Sequence, residues 1–199
     1  MNETSKPRPK LLLGLLAGLA LAGCSDGGEE PPLKGAAIGG PFTLTDQEGR
    51  PATERDYAGR YRIMYFGFTH CPDVCPTDLA VLAQALRRFE KSDPARAARV
   101  APIFVSVDPE RDTPAVLKEY VAAFHPRLVG LTGTPLQLAD MGRRYGVYYG
   151  KDSPVAGGGY NVNHSRLAQL IGPEGEPIAL LPYDKGAEAV AAELDRWVK

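Results

Sequence analysis

An aromatic, apolar run, Tyr61-Arg-Ile-Met-Tyr-Phe-Gly-Phe68, passes without a spacer into Thr69-His-Cys-Pro-Asp-Val-Cys-Pro76. The run has the composition of a central strand. From Thr77 the period changes, and Leu79, Leu82, Ala83, Leu86 and Phe89 share one helical face. A strand and a helix that meet at two cysteines commit the chain to a layered α/β layout with the thiols at the joint.

The rest of the chain continues the alternation. Phe42–Thr45 alternates like a strand and Asp46–Gly49 reads as a turn. Val100–Val107 is a second buried strand, closed by Asp108-Pro-Glu-Arg-Asp112. Thr113 can cap a helix with Pro114 at its first position, with Val116, Leu117, Tyr120, Val121 and Phe124 as its stripe. Leu128–Leu131 is short and apolar, Thr134-Pro135 opens a third helix toward Tyr145, and Val147–Tyr149 reads as a short strand. Arg166–Ile171 and Ile178–Leu181 flank Gly172-Pro-Glu-Gly175, which predicts a late β-hairpin. Asp184 is placed to cap a C-terminal helix striped by Val190, Leu194, Trp197 and Val198. The expected fold is a central mixed sheet flanked by helices, in an order that matches the thioredoxin architecture. In such sheets sites form beyond the carboxyl ends of strands, where Cys71 falls.

The N-terminus predicts export. Lys6, Arg8 and Lys10 precede the apolar run Leu11–Ala22, which ends in Leu-Ala-Gly before Cys24. It reads as a secretory signal, too short to span a membrane comfortably, or else as an uncleaved signal anchor, with export either way. It resembles the bacterial lipoprotein signal, in which the cysteine is diacylated. The expected organisation is a signal peptide over 1–23, a lipidated Cys24 and flexible tether over 24–37, and one domain over 38–199. The Gly- and Pro-rich stretch after Cys24 supplies the tether, and two acyl chains give a stable membrane anchor. The formal charge of −1 gives no reason to expect nucleic acid as a partner.

With Cys24 assigned to lipid, Cys71 and Cys75 are the remaining thiols. In an oxidising compartment such a pair is a structural disulfide, a redox dithiol or a metal site. A helix entrance favours negative charge and is expected to make a thiolate more available. Thiolates select soft ions. Two sulfurs leave zinc short of its usual four ligands, whereas copper(I) is satisfied by two or three, and one imidazole would complete a trigonal site. The chain has three histidines to choose from. His125, before Pro126 at a predicted helix end, reads as a C-terminal cap. His70 adjoins Cys71, but on a strand-to-helix turn its side chain should point elsewhere, behind the ligands. His164, on its residues alone, reads as surface.

The stretch Tyr65-Phe-Gly-Phe-Thr-His-Cys-Pro-Asp-Val-Cys-Pro-Thr77 resembles the signature of the Sco/SenC family of copper chaperones for cytochrome c oxidase assembly. Further matching blocks follow in family order: Val105–Pro114, Gly130–Gly133, Tyr145–Tyr148 and Tyr160–Ser165, with Gly-Pro-Phe-Thr-Leu-Thr-Asp near the domain start. The resemblance implies a thioredoxin-like fold and a copper ion held by Cys71, Cys75 and His164, as copper(I) and also copper(II). It further implies delivery of copper to the dinuclear site of oxidase subunit II, or reduction of that site's cysteines as a thiol-disulfide oxidoreductase. Expected partners are subunit II, another periplasmic copper carrier and the membrane through the lipid anchor, with the domain facing the periplasm. Asn163 departs from the Asp that family members often carry before the histidine. A thioredoxin-superfamily peroxidase is a third class, and a need for His164 separates the copper reading from both thiol readings. Asp108–Asp112 reads as a turn and helix start, or else as a charged rim meeting the partner protein. Asp73 reads as a charge complementing the helix dipole, or else as a modulator of copper release.

Overall fold

The computed structural model describes residues 1–2, 29–72, 74–152 and 159–199. Cys24, nearly all of the expected signal, Asp73 and residues 157–158 of the Gly-rich loop lie outside the described residues.

Two strands form the centre. β3 (Tyr61–Gly67) and β4 (Val100–Ser106) run parallel in register from Tyr61↔Val100 to Gly67↔Ser106, and every residue of both is buried. Strands covered on both faces are expected to be continuously apolar, as these nearly are. Between them runs α1 (Val74–Ser92), followed by the short α2 (Pro94–Ala98). α3 (Pro114–Ala122), β5 (Val129–Thr132) and α4 (Pro135–Arg144) come next, and β5 lies parallel to β4. The N-terminal hairpin of β1 (Thr43–Asp46) and β2 (Pro51–Thr53) turns at Gly49, whose φ of +76° suits glycine, and pairs with the far side of β5. On the other side of β3 lies the late hairpin, β8 (Ala168–Ile171) and β9 (Pro177–Leu180), before α5 (Ala187–Trp197). Among the described residues the main sheet has the order β2-β1-β5-β4-β3-β8-β9. A separate two-stranded sheet joins β6 (Tyr149–Lys151) to β7 (Val162–His164).

Local signals explain where the helices start. Asp93, Thr113 and Thr134 each accept a hydrogen bond from the third residue of a helix opened by proline. At Thr134 the exchange is reciprocal, since Gln137 Oε1 accepts from Thr134 N at 2.8 Å. α1 then buries Leu79, Leu82, Leu86 and Phe89 against the sheet. Each such side chain contributes about 1.5–3 kcal/mol, so Leu86→Ala would cost about 2–5 kcal/mol.

Four expectations shift. α1 begins at Val74, ahead of Thr77, so Cys75 is itself helical. Asp184 falls in a 3-10 turn, Tyr183–Lys185, and α5 starts after Gly186 without a side-chain cap. The strand expected at Val147–Tyr149 lies at Tyr149–Lys151 and pairs with an unanticipated β7. Residues 29–37, expected as tether, are bonded to the domain: Leu33 N donates to Ile178 O at 3.0 Å and Arg196 Nε to Glu29 Oε2 at 2.7 Å.

β3 and β4 end level, so the loops after them lie side by side, tied by Val107 N to Gly67 O at 2.8 Å. The cysteine loop and the Asp108–Asp112 turn are therefore neighbours.

Candidate metal centre

The cysteines are placed by backbone. Past Gly67 the chain turns through Phe68–Cys71, with Cys71 N donating to Phe68 O at 3.3 Å. Cys75 sits in the first turn of α1, and its N–H donates to Cys71 Sγ at 3.3 Å. One otherwise orphaned helix N–H is thus satisfied by a thiol, which turns both sulfurs to the same side. Gly67 makes the room. A Cβ there would stand 3.0 Å from Cys75 Sγ and 3.0 Å from the Phe104 ring.

His164 arrives from β7. Its Nε2 is 3.3 Å from Cys75 Sγ, and its Nδ1 is 3.1 Å from Ser165 O. A carbonyl only accepts, so Nδ1 carries the proton and Nε2 presents its lone pair to the sulfur. Burial lowers the His164 pKa, which favours this neutral form. The Phe68 ring meets the imidazole edge-on, with centroids 5.9 Å apart at 90°. Donor atoms of Cys71, Cys75 and His164 all lie within 4.8 Å of one another, the one such cluster among the described residues.

The two thiols are free and unequally placed. Cys75 is sealed at 0% exposure, while Cys71, at 8%, borders a groove lined also by Pro72, Asn161, Asn163, His164 and Arg166. The helix entrance does not make Cys75 acidic, as its position suggested it should. Burial, opposed by a backbone hydrogen bond from Phe68, pushes its pKa up to about 12. A thiol proton must therefore leave when a metal arrives. Two soft sulfurs and one imidazole, with no carboxylate in the cluster, fit copper(I) and leave zinc one ligand short.

The other histidines stand apart. His70, half exposed, has Nδ1 3.0 Å from Thr69 Oγ1 and 3.5 Å from Asp112 Oδ1. His125 is buried beyond α3, where Nδ1 accepts from Arg127 N at 3.2 Å and Nε2 lies 3.3 Å from Glu90 Oε2. It clasps α3 to α1 instead of capping helix carbonyls.

Asp78, one turn past Cys75, was missed. It is buried and accepts from Tyr65 O–H at 2.8 Å and from Arg166 through Nε at 3.2 Å and Nη2 at 2.8 Å. The signal was a carboxylate on the apolar stripe of α1, a position that demands a partner.

Residues 30–199 match the family model described as SCO1/SenC. The mitochondrial Protein SCO1 homolog 1 of Arabidopsis thaliana is 45% identical over 146 residues, 73% of this chain and 42% of that protein. The chain spans about half the length of the curated relatives it matches. A crystal structure of Arabidopsis thaliana ScoI with copper bound superposes with a TM-score of 0.74 at 39% identity, covering 80% of this chain and 97% of that one. The thioredoxin domain of a thiol-disulfide oxidoreductase from Bacteroides vulgatus superposes with a TM-score of 0.56 at 14% identity, over 81% of this chain and 96% of that one, so the fold is thioredoxin-like. With the family signature matched from Glu30 to the C-terminal lysine, this chain belongs to the SCO1/SenC family.

Proposed function

We propose that the domain is a metallochaperone that binds one copper ion and delivers it to the dinuclear copper site of cytochrome c oxidase subunit II. The observation that carries this is the convergence of Cys71, Cys75 and a lone-pair-bearing His164 Nε2, all within 4.8 Å. Cys71 and Cys75 supply sulfur, His164 supplies nitrogen, and Cys71 at the groove is where cargo enters and leaves. Copper(I) takes the two thiolates and the imidazole as a trigonal set, and copper(II) leans more on the nitrogen. The similar ScoI with copper bound supports the choice of ion. Residues 1–23 act as a lipoprotein signal and Cys24 as the lipidated anchor, which holds the domain at the membrane facing the periplasm. There subunit II and another copper carrier are its partners.

An anaerobic copper(I) titration of the full chain with a parallel thiol count tests the reading. One copper per chain with both thiols consumed is expected, and no binding at two reduced thiols sinks it. A second reading, reduction of the partner's cysteines, draws on one observation: both thiols are free, with Cys71 at the groove and Cys75 behind it. That chemistry has no use for His164.

A further inference from the structure

The turn Asp108–Asp112 is a turn and helix start, as its sequence suggests. Arg111 N and Asp112 N both donate to Asp108 O, and Thr113 caps α3. Its side chains do something else. Asp112, fully buried, accepts at Oδ2 from Thr69 N (2.9 Å) and Ser106 Oγ (2.6 Å), and at Oδ1 from Thr69 Oγ1 (2.6 Å). Thr69 stands two residues before Cys71. Asp108, also buried, accepts from Tyr160 O–H at 2.7 Å and from Arg111 Nε. Arg111 Nη1 donates to Tyr160 O at 2.9 Å, and its guanidinium lies 3.9 Å from the Tyr160 ring centre and 5.7 Å from that of Phe68. Tyr160 stands four residues before His164, and Phe68 packs directly on the His164 ring.

One five-residue turn therefore grips both halves of the metal centre, which lie 89 residues apart in the chain. The histidine half needs gripping. Among the described residues β7 pairs only with β6, outside the main sheet, and a two-stranded ribbon is marginal on its own. No ladder from the main sheet fixes where the imidazole stands.

We propose that Asp108 and Arg111, acting on Tyr160, and Asp112, acting on Thr69, are positioning residues that hold His164 against the two thiols before copper arrives. This rests on the copper reading above. Hydrogen bonds to buried carboxylates are strong and directional, which suits them to setting a ligand distance. Residues behind metal ligands commonly change affinity by ten- to a hundredfold when removed.

The test is a double-mutant cycle on the full chain. Arg111→Gln is expected to weaken copper(II) binding about tenfold, to affect copper(I) less, and to split the copper(II) electron paramagnetic resonance signal into more than one species. The Cys71–Cys75 disulfide potential should not move, because it needs no imidazole. In a His164→Ala background, Arg111→Gln should cost nothing further. Tyr160→Phe, which keeps the ring under the guanidinium and loses the O–H bond to Asp108 with its longer contact to exposed Glu110, should act in the same direction with smaller effect, and its cycle decides if Arg111→Gln fails to fold. Full additivity with His164→Ala, or an unchanged affinity and spectrum, overturns the positioning role. Wild-type chain that takes up no copper sinks the copper reading, a result distinct from either.

Discussion

The two halves of the metal centre are held by different physics. The cysteine half leaves β3, a strand buried along its whole length, and enters α1, so it is fixed by sheet ladders and a helix turn. The histidine half is a three-residue strand in a two-stranded ribbon, fixed by side chains: Tyr160 to Asp108 and Arg111 on one side, Arg166 to Asp78 on the other. The main sheet and a helix turn do most to place the sulfurs, and side chains do more to place the nitrogen, whose own backbone pairs in the small β6–β7 ribbon. Substitutions near the sulfurs should therefore fail through packing or loss of a donor, and those near the nitrogen should fail in graded steps.

The largest effect belongs to the sulfurs. Cys71→Ser or Cys75→Ser should abolish tight copper(I) binding, because one thiolate beside an imidazole leaves too little soft character. Stoichiometric high-affinity binding by either variant, read by competition with a copper(I) chelator, would overturn the assignment. Gly67→Ala comes next on the same half. Its Cβ would press on Cys75 Sγ and Phe104, which are both in a close-packed core. Overpacking of this kind costs about 1–3 kcal/mol, which urea unfolding would register, and unchanged stability would show that the joint between β3 and α1 is looser than its contacts imply.

Where α1 reaches the other half, Asp78→Asn should cost about 1–3 kcal/mol through its weakened bonds to Tyr65 and Arg166. The figure is held down because the Arg166 side chain is half exposed and can turn to water. His164→Ala should weaken copper(II) more than copper(I) and leave disulfide formation nearly normal, since the two sulfurs remain neighbours. Equal affinity for both copper states before and after would remove the third ligand.

Which parts could be read in advance follows the same division. The strand–cysteine–helix joint, the proline-opened helices at Thr113 and Thr134 and the late hairpin were legible because each is encoded within a few residues. The β6–β7 ribbon was not, because three residues carry too little periodicity to register, and its partner lies beyond a loop. The side-chain roles of Asp108–Asp112 were invisible for a related reason. Their bonds reach 43 residues back to Thr69 and 52 forward to Tyr160, and no local pattern announces them. Asp184 misled because a capping residue type was present where Gly186, at φ +89°, begins the helix instead. The acidic thiol that a helix entrance implies is absent because nothing in the local sequence shows that Cys75 is sealed from water. The choice of His164 over His70 and His125 came from the family resemblance, and the geometry brings that residue, and neither of the others, beside the sulfurs.

The smallest predicted effect concerns acid, and it falls on the nitrogen half alone. Burial lowers the His164 pKa from its ordinary value near 6.5, opposed by the Ser165 carbonyl and the Asp78 carboxylate and reinforced by Arg166. A histidine with a depressed folded pKa binds its proton more readily in the unfolded chain. Its contribution to stability is therefore fully present above about pH 6.5 and is lost as pH falls toward and through the folded value. Protonating Nε2 would also turn it from an acceptor facing Cys75 Sγ into a donor, which cancels the bond between imidazole and thiol. His125 is shifted in the same direction by its own burial, so the wild type alone cannot separate them. The difference between wild type and His164→Gln can, because His125 is common to both. Urea unfolding of the metal-free chains at pH 7.5 and 5.5 should show the wild type losing more stability than His164→Gln on acidification. An equal loss in both would mean that the imidazole is already free of the sulfurs in the metal-free protein, and the contrast between the two halves would then lose its energetic content at the contact between imidazole and thiol.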